Sequence, residues 1–186
     1  MKNLVFFFII FSFPFIINSQ AVNSSCTWTA GDSGNNTNWT NAGNWSCAGY
    51  PSGSSAVAIV SADSYSSTTI TLDADITLKQ FKHGGSTGGS WTLDQASGGS
   101  NTLTFQGTGT TQVWQHNRGN CQWTINANVT LDATSTGTKQ FKLGTSTHAN
   151  SSITFSSSST LTLSADTSLK FKFDKDGHSL TFNGTI

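Results

Sequence analysis

The chain has 186 residues, of which 10 % are charged, with nine basic residues against nine acidic ones and no glutamate. The scarcity of charged residues and strong helix formers excludes helical bundles and coiled coils, and the balanced charge excludes a basic nucleic-acid-binding protein. The abundance of serine, threonine, asparagine and glycine instead predicts a secreted, all-β protein.

The N-terminus has the pattern of a secretory signal. Lys2 precedes an apolar run over residues 4–17, and small or polar residues follow. The run of 14 residues is shorter than the roughly 20 needed for a transmembrane helix. We therefore expect residues 1–20 to be a cleaved signal peptide, no transmembrane segment after cleavage, and a location outside the cell or on its surface.

The mature chain contains three cysteines. Cys26 and Cys47 bracket a short aromatic segment, and in an oxidising compartment this arrangement predicts a disulfide. Closing that loop is expected to stabilise the fold by about 3 kcal/mol. Cys121 remains, and we interpret it as a half-buried thiol in a turn because His116 is its one evident neighbour of catalytic type.

Residues 21–55 form a candidate N-terminal cap. They carry Trp28, Trp39 and Trp45 together with the predicted disulfide. A solenoid needs such a segment to cover its open core and sheet edge. The alternative is that these tryptophans stack on sugar rings, but clustered tryptophan is more often buried, which favours a capping role.

Residues 56–186 contain short alternating segments that recur about every 30 residues. The first series covers residues 79–82, 112–115, 139–142 and 169–172. The second series covers residues 91–93, 123–125, 153–155 and 180–182. The third series covers residues 70–72, 103–105, 129–131 and 161–163. Repeats of this period are typical of solenoids.

Three strands per repeat predict a right-handed parallel β-helix. Apolar residues in each coil face inward and threonines face outward, with successive coils about 4.8 Å apart. A β-sandwich is the alternative, since it is also built from regularly spaced short strands. The common spacing of all three series favours the β-helix.

The cap segment carries a recognisable pattern: Trp28-Thr29, Asn38-Trp39, Asn44-Trp45-Ser46 and Pro51 precede a Val/Ile-rich strand. This pattern resembles the start of secreted, adhesin-like β-helix surface proteins of bacteria, whose repeats are rich in serine and threonine. The resemblance implies export to the cell surface. Because residues 180–186 are strand-like and no cap follows, we expect the N-terminal fragment of a longer protein.

The acidic residues do not form a predicted catalytic cluster. Asp73 and Asp132 follow similar strands, but Gln106 stands between them in the series. Hydrolases of this kind need neighbouring carboxylates. We therefore predict that the chain is not an enzyme, with no catalytic residue and no cofactor; the alternative is a fragment of a polysaccharide lyase or hydrolase whose catalytic coils are missing.

Four histidines recur at a similar spacing: His83, His116, His148 and His178. Histidines at one corner of adjacent coils could approach a common metal ion. Replacement of asparagine by histidine in polar turns is the favoured interpretation, and we assign no metal ligand. Lys82, Lys142 and Lys172 share an outward position and are interpreted as a solvated face.

A possible surface ladder runs along the third series. Each coil contributes two outward residues, giving the set Thr69, Thr71, Thr102, Thr104, Asn128, Thr130, Thr160 and Thr162. Our primary expectation is a structural, adhesin-like protein whose polar surface binds carbohydrate or cell-surface components. An alternative is ice binding through a Thr-x-Thr grid, although threonine is also a common exposed β-former.

Overall fold

The computed structural model describes residues 20–29, 37–61, 67–84, 89–106, 111–116, 120–132, 137–143, 150–164, 167–173 and 177–186. Apart from Gln20, the predicted signal peptide lies outside these residues. Seventeen strands and one 3₁₀ helix (Ala42–Asn44) make up their regular structure. In the described part of the chain, no helix has the length and apolar character required to cross a bilayer.

The strands are short and evenly distributed. In chain order they are β1 (Ala21–Val22), β2 (Ser25–Trp28), β3 (Tyr50–Pro51), β4 (Val57–Ser61), β5 (Ser67–Leu72), β6 (Ile76–Leu78), β7 (Gln80–Gly84), β8 (Gly89–Gln95), β9 (Thr102–Gln106), β10 (Thr111–His116), β11 (Cys121–Ile125), β12 (Asn128–Asp132), β13 (Gly137–Leu143), β14 (Ser152–Phe155), β15 (Leu161–Leu163), β16 (Thr167–Phe173) and β17 (Ser179–Phe182).

These strands wind into a parallel β-solenoid of about four turns, with about 29 residues per coil. A six-stranded sheet has the order β2-β4-β7-β10-β13-β16, a five-stranded sheet β5-β8-β11-β14-β17, and a four-stranded sheet β6-β9-β12-β15. All pairings in these sheets are parallel and join successive coils. The predicted three-strand coil is thus confirmed, and the β-sandwich alternative is wrong.

The core consists of inward side chains stacked from coil to coil. Phe81, Trp114 and Phe141 form one stack, with ring centroids 4.5 Å and 6.0 Å apart. Trp91 and Trp123 form a second stack with centroids 5.6 Å apart. Because alternate residues of a strand face opposite sides, polar residues between them face outward. Large buried rings in register therefore fix the stacking of the coils.

The cap is built around buried tryptophans. Trp28, Trp39 and Trp45 are 2 %, 0 % and 4 % exposed. The Nε1–H of Trp45 donates to the Trp39 carbonyl at 2.7 Å, and the Nε1–H of Trp39 donates to the Pro51 carbonyl at 3.0 Å. Because the three rings are buried, they present no free face on which a sugar could stack.

The predicted disulfide joins Cys26 to Cys47 across a sequence separation of 21 residues, with the two Cα atoms 5.4 Å apart. Cys26 lies in β2, which pairs in parallel with β4. The six-stranded sheet therefore begins within the cap segment, and the disulfide anchors the rest of that segment to its first strand.

One predicted strand alignment is wrong. Residues 70–72 lie in β5, which pairs with β8 in the five-stranded sheet, so that Ile70 is opposite Leu93. The third-series strand of this coil is β6, which pairs with β9. The physical reason is a short first coil: the step from Ile70 to Leu93 is 23 residues, whereas the step from Trp91 to Trp123 is 32.

Candidate functional site

The outward face of the five-stranded sheet carries an unbroken column of threonines. Strand pairing places one threonine from each strand in register: Thr69, Thr92, Thr124, Thr154 and Thr181. Adjacent strands lie about 4.8 Å apart, so the hydroxyl groups repeat at that interval. Thr124 and Thr181 are exposed and the other three are half-buried. We call this surface the threonine face.

Two further polar rows flank the column. The row on one side includes Ser90, Gln122, Ser152 and Ser179, which are in register near the starts of β8, β11, β14 and β17. On the other side, the Asn126 amide donates to the Asp94 carboxylate at 3.2 Å. Alternate residues along a strand are about 6.7 Å apart. The threonine face is therefore a regular grid of hydrogen-bonding groups.

A groove of about 470 Å³ adjoins this grid. It is lined by Asp94, Asn126, Ser156, Ser158 and the turn of residues 95–99. Gly98 in that turn has a φ of +71°, a conformation that glycine adopts without strain. The Gln95 amide donates to the Asn101 carbonyl at 2.6 Å and holds the base of the turn. The groove extends the polar surface toward the four-stranded sheet.

The predicted threonine ladder is divided between two sheets. Thr69 and Thr71 belong to the five-stranded sheet because β5 pairs with β8. Thr77 takes their place in the four-stranded sheet, in register with Thr104, Thr130 and Thr162. Thr102 pairs with Asn128, and the register of β12 with β15 puts Thr160 in the same row. The longer column was therefore not predicted, although four of its five threonines stand between the apolar residues of the second series.

The predicted lysine row is present on the six-stranded sheet. Lys82, Gln115, Lys142 and Lys172 are in register on successive strands. They lie on a different sheet from the threonine face. The three cations are therefore separated from the grid of hydroxyl groups.

Three aspartates, Asp73, Asp75 and Asp132, have structural partners. Asp73 accepts hydrogen bonds from the Thr40 backbone N–H at 3.0 Å and from the Thr40 hydroxyl at 2.5 Å. Asp132 accepts from the Gln106 amide at 2.8 Å, and Asp75 accepts from the Thr102 backbone N–H at 2.8 Å. Each carboxylate therefore serves to hold neighbouring segments together.

A second group of chemically active side chains lies inside the solenoid. His83 in β7 lies opposite His116 in the adjacent strand β10, and their ring centroids are 4.7 Å apart. One ligand atom from each of His83, His116 and Cys121 lies within 4.8 Å of the others. All three side chains are 0 % exposed. We call these three residues the His–His–Cys cluster.

The cluster sits in an aromatic environment. The His83 ring contacts the rings of Trp91 and Trp123, with centroids 5.4 Å and 5.7 Å away. Both ring nitrogens of His83 and both of His116 are buried without a hydrogen-bond partner among the described residues. Buried polar atoms rarely lack a hydrogen-bond partner, because each such atom lowers the stability of the fold by about 1–3 kcal/mol.

Burial controls the charge of the two histidines. Desolvation lowers the pKa of His83 to about 4. Desolvation also lowers the pKa of His116, and His83 and His178 add to that effect through charge repulsion. Both imidazoles are consequently neutral at neutral pH, so each has one ring nitrogen with an available lone pair.

The structure corrects the predicted positions of these residues. His83 and His116 lie in β7 and β10 and face inward, not in polar turns, and Cys121 is a fully buried residue of β11. The alternation of the strands contains the signal: each histidine follows an inward aromatic residue by two positions, and Cys121 precedes Trp123 by two.

The remaining two histidines differ from this pair. His178 directly precedes β17, is half-buried, and accepts a hydrogen bond on Nδ1 from the Ser151 backbone N–H at 3.1 Å. His148 lies outside the described residues. The regular spacing of the four histidines in sequence therefore does not correspond to one equivalent position.

Comparison of the chain with known proteins gives no match to a protein-family model, to a curated protein or to a solved structure.

Proposed function

We propose that this chain is a secreted or cell-surface structural protein, adhesin-like in character, that binds neutral polysaccharide through the threonine face. The observation that supports this most directly is the in-register column of five threonines with polar rows on either side. A periodic polymer can contact such a grid at several equivalent points, so weak hydrogen bonds act together.

The chemistry of the face favours an uncharged partner. Apart from the Asp94 carboxylate, which accepts a hydrogen bond from the Asn126 amide, the face carries hydroxyl and amide groups, and the lysine row lies on another sheet. All six tryptophans are buried. Binding would therefore rely on hydrogen bonds to sugar hydroxyls, with little contribution from stacking on aromatic rings.

The enzymatic alternative has less support. The three aspartates considered above are each hydrogen-bonded to a neighbouring segment, and we propose a non-catalytic role that needs no catalytic cofactor. A presentation or adhesion function requires only the stiffness and the repeated surface of the solenoid.

The proposal is tested by sedimentation with insoluble cellulose and chitin. The double variant Thr124→Val/Thr154→Val keeps the β-branched shape and removes two hydroxyl groups. Because each lost hydrogen bond is worth about 0.5–1.5 kcal/mol, we expect binding weaker by roughly tenfold. The matched control is Thr130→Val/Thr162→Val on the four-stranded sheet, which should bind as the unmodified chain does.

Two results would contradict the proposal: no binding of the unmodified chain to either polymer, or equal weakening by both double variants. The first would remove the neutral polysaccharide as a partner. The second would show that the threonine face has no special role.

Ice binding is a second candidate function, and the same column of hydroxyl groups supports it. A surface with a repeat of about 4.8 Å in one direction and about 6.7 Å in the other offers a regular array to ordered water. Inhibition of ice recrystallisation by the unmodified chain, lost in Thr124→Val/Thr154→Val, would favour it over polysaccharide binding.

A further inference from the structure

We propose that His83, His116 and Cys121 bind one transition-metal ion of the zinc class inside the solenoid core. The donor set consists of two imidazole nitrogens and one sulfur, which are the ligand types that zinc prefers. This inference rests on the buried His–His–Cys cluster and does not depend on the threonine face.

The topology brings the three ligands to one corner. His83 and His116 occupy the same position near the ends of β7 and β10, one coil apart. Cys121 begins β11, which follows β10 around the corner. In register, Cys121 is opposite Gly89, which has no side chain. The neighbouring strand β8 therefore adds no side chain to the core at the position next to Cys121.

The distances suit a small ion. The three donor atoms lie within 4.8 Å of one another. In a tetrahedral zinc site, with metal–nitrogen bonds of about 2.0–2.1 Å and a metal–sulfur bond of about 2.3 Å, donor atoms lie roughly 3.5 Å apart. Side-chain rotations that move each donor by about an ångström would close that difference without moving the strands.

The unsatisfied nitrogens are the independent observation that points to a ligand. All four ring nitrogens of His83 and His116 are buried and have no hydrogen-bond partner in the part of the chain that the structure describes. A core histidine with a purely packing role normally has at least one such partner. Coordination would satisfy one nitrogen of each ring.

The surroundings would make such a bond strong. The rings of Trp91 and Trp123 pack against His83 and separate the cluster from solvent. In this low-dielectric site, attraction between a thiolate and a divalent cation is much stronger than in water. An ion held by β7, β10 and β11 would join two successive coils, and its binding energy would add to the stability of the fold.

The test uses the full chain with its disulfide formed, freed of metal by a chelator and then titrated with Zn²⁺ and with Co²⁺. We expect one ion per chain, a melting temperature that rises by several degrees with Zn²⁺ concentration, and a sulfur-to-cobalt charge-transfer band in the near ultraviolet. Ca²⁺ should produce no shift, because it prefers oxygen ligands.

Cys121→Ser is the decisive variant, since it changes one atom and should abolish the charge-transfer band. His83→Leu and His116→Leu should each reduce affinity by at least tenfold. The matched control is Ile125→Val, a core substitution in the same strand as Cys121 that should retain metal binding.

Failure of the unmodified chain to bind Zn²⁺ or Co²⁺ would overturn the proposal. So would a charge-transfer band that persists in Cys121→Ser. Because the measurement on the unmodified chain needs no substitution, the proposal stays testable even if the two histidine variants do not fold.

Discussion

At the scale of single residues, Lys139 combines a charged side chain with an inward position. It lies in β13 two residues before Phe141, and its neighbours in register are Thr111 and Leu169. Its side chain is 0 % exposed. Desolvation lowers its pKa from the ordinary value of 10.5, and the negative charge of Asp132 opposes that shift. The charged form of Lys139 therefore costs the folded state free energy at neutral pH.

We predict that Lys139→Met raises the free energy of unfolding by about 1 kcal/mol at pH 7, because methionine fills a similar volume and removes the cost of keeping an ammonium group out of water. The pKa of Lys139 is lower in the folded chain than in the unfolded chain. As the pH approaches 10.5 from below, the unfolded chain therefore binds more protons than the folded chain does. Stability of the unmodified chain consequently rises with pH in that window, and the advantage of the variant should shrink.

Urea denaturation at pH 7 and pH 10 measures this difference. Lys142→Met, an outward change in the same strand, is the control and should alter stability by less than about 0.5 kcal/mol at either pH. A less stable Lys139→Met protein at pH 7 would show that the ammonium group has a net favourable role.

At the scale of secondary-structure elements, the cap extends the five-stranded sheet. The Trp39 N–H donates to the Thr71 carbonyl and the Thr71 N–H donates to the Thr37 carbonyl, both at 2.8 Å. The hydroxyl oxygens of Thr37 and Thr71 are 2.7 Å apart. The cap thus covers the edge of β5, which would otherwise present unpaired backbone groups.

Asp73 fastens this cap segment to the first coil through two hydrogen bonds to Thr40. We predict that Asp73→Ala lowers the free energy of unfolding by about 2 kcal/mol, because hydrogen bonds to a charged group are worth about 1.5–3 kcal/mol. Asp75→Ala, which removes one exposed hydrogen bond to the Thr102 N–H, should cost less than half as much. Equal losses in chemical denaturation would contradict a special role of Asp73.

The sequence predicts the sheets well and the alignment of the first coil poorly. Alternation and a repeat of about 30 residues identify most strands, because inward aromatic residues such as Phe81 and Phe141 cannot be placed elsewhere. Residues 70–72 fit two apolar series equally, and only strand pairing shows that β6 supplies the missing strand. A tripeptide of apolar-Thr-apolar type carries no information about which sheet it joins.

The same limit explains what was missed at the candidate sites. The threonine face needs the register of five strands, and one misplaced strand moves Thr69 and Thr71 out of their true rows. The His–His–Cys cluster needs the pairing of β7 with β10, because only that pairing places His83 opposite His116. Alternation alone, followed from Trp114 to His116, would still have placed that histidine inside.

At the scale of the whole molecule, stability should vary along the solenoid, since each coil packs on its neighbours alone. Phe141 is 0 % exposed, and its ring lies between those of Trp114 and Phe171, with centroids 6.0 Å and 5.8 Å away. Phe173 and Leu163, in the coil that contains β15 and β16, are 45 % and 40 % exposed. The aromatic rings of the inner coils therefore pack between two neighbouring coils, whereas those of the last described coil pack against one coil only.

This difference predicts unequal costs for the same substitution. Phe141→Ala should lower the free energy of unfolding by about 3–5 kcal/mol, the usual range for deleting a buried ring. Phe173→Ala should cost less than about 1 kcal/mol, because nearly half of its side chain is already in contact with solvent. Chemical denaturation gives both values, and hydrogen exchange should show slower exchange of backbone amides in β10 and β13 than in β16 and β17. If both substitutions lowered the free energy of unfolding equally, and if backbone amides exchanged at the same rate along the chain, the prediction would be wrong. The last described coil would then be as stable as the inner coils.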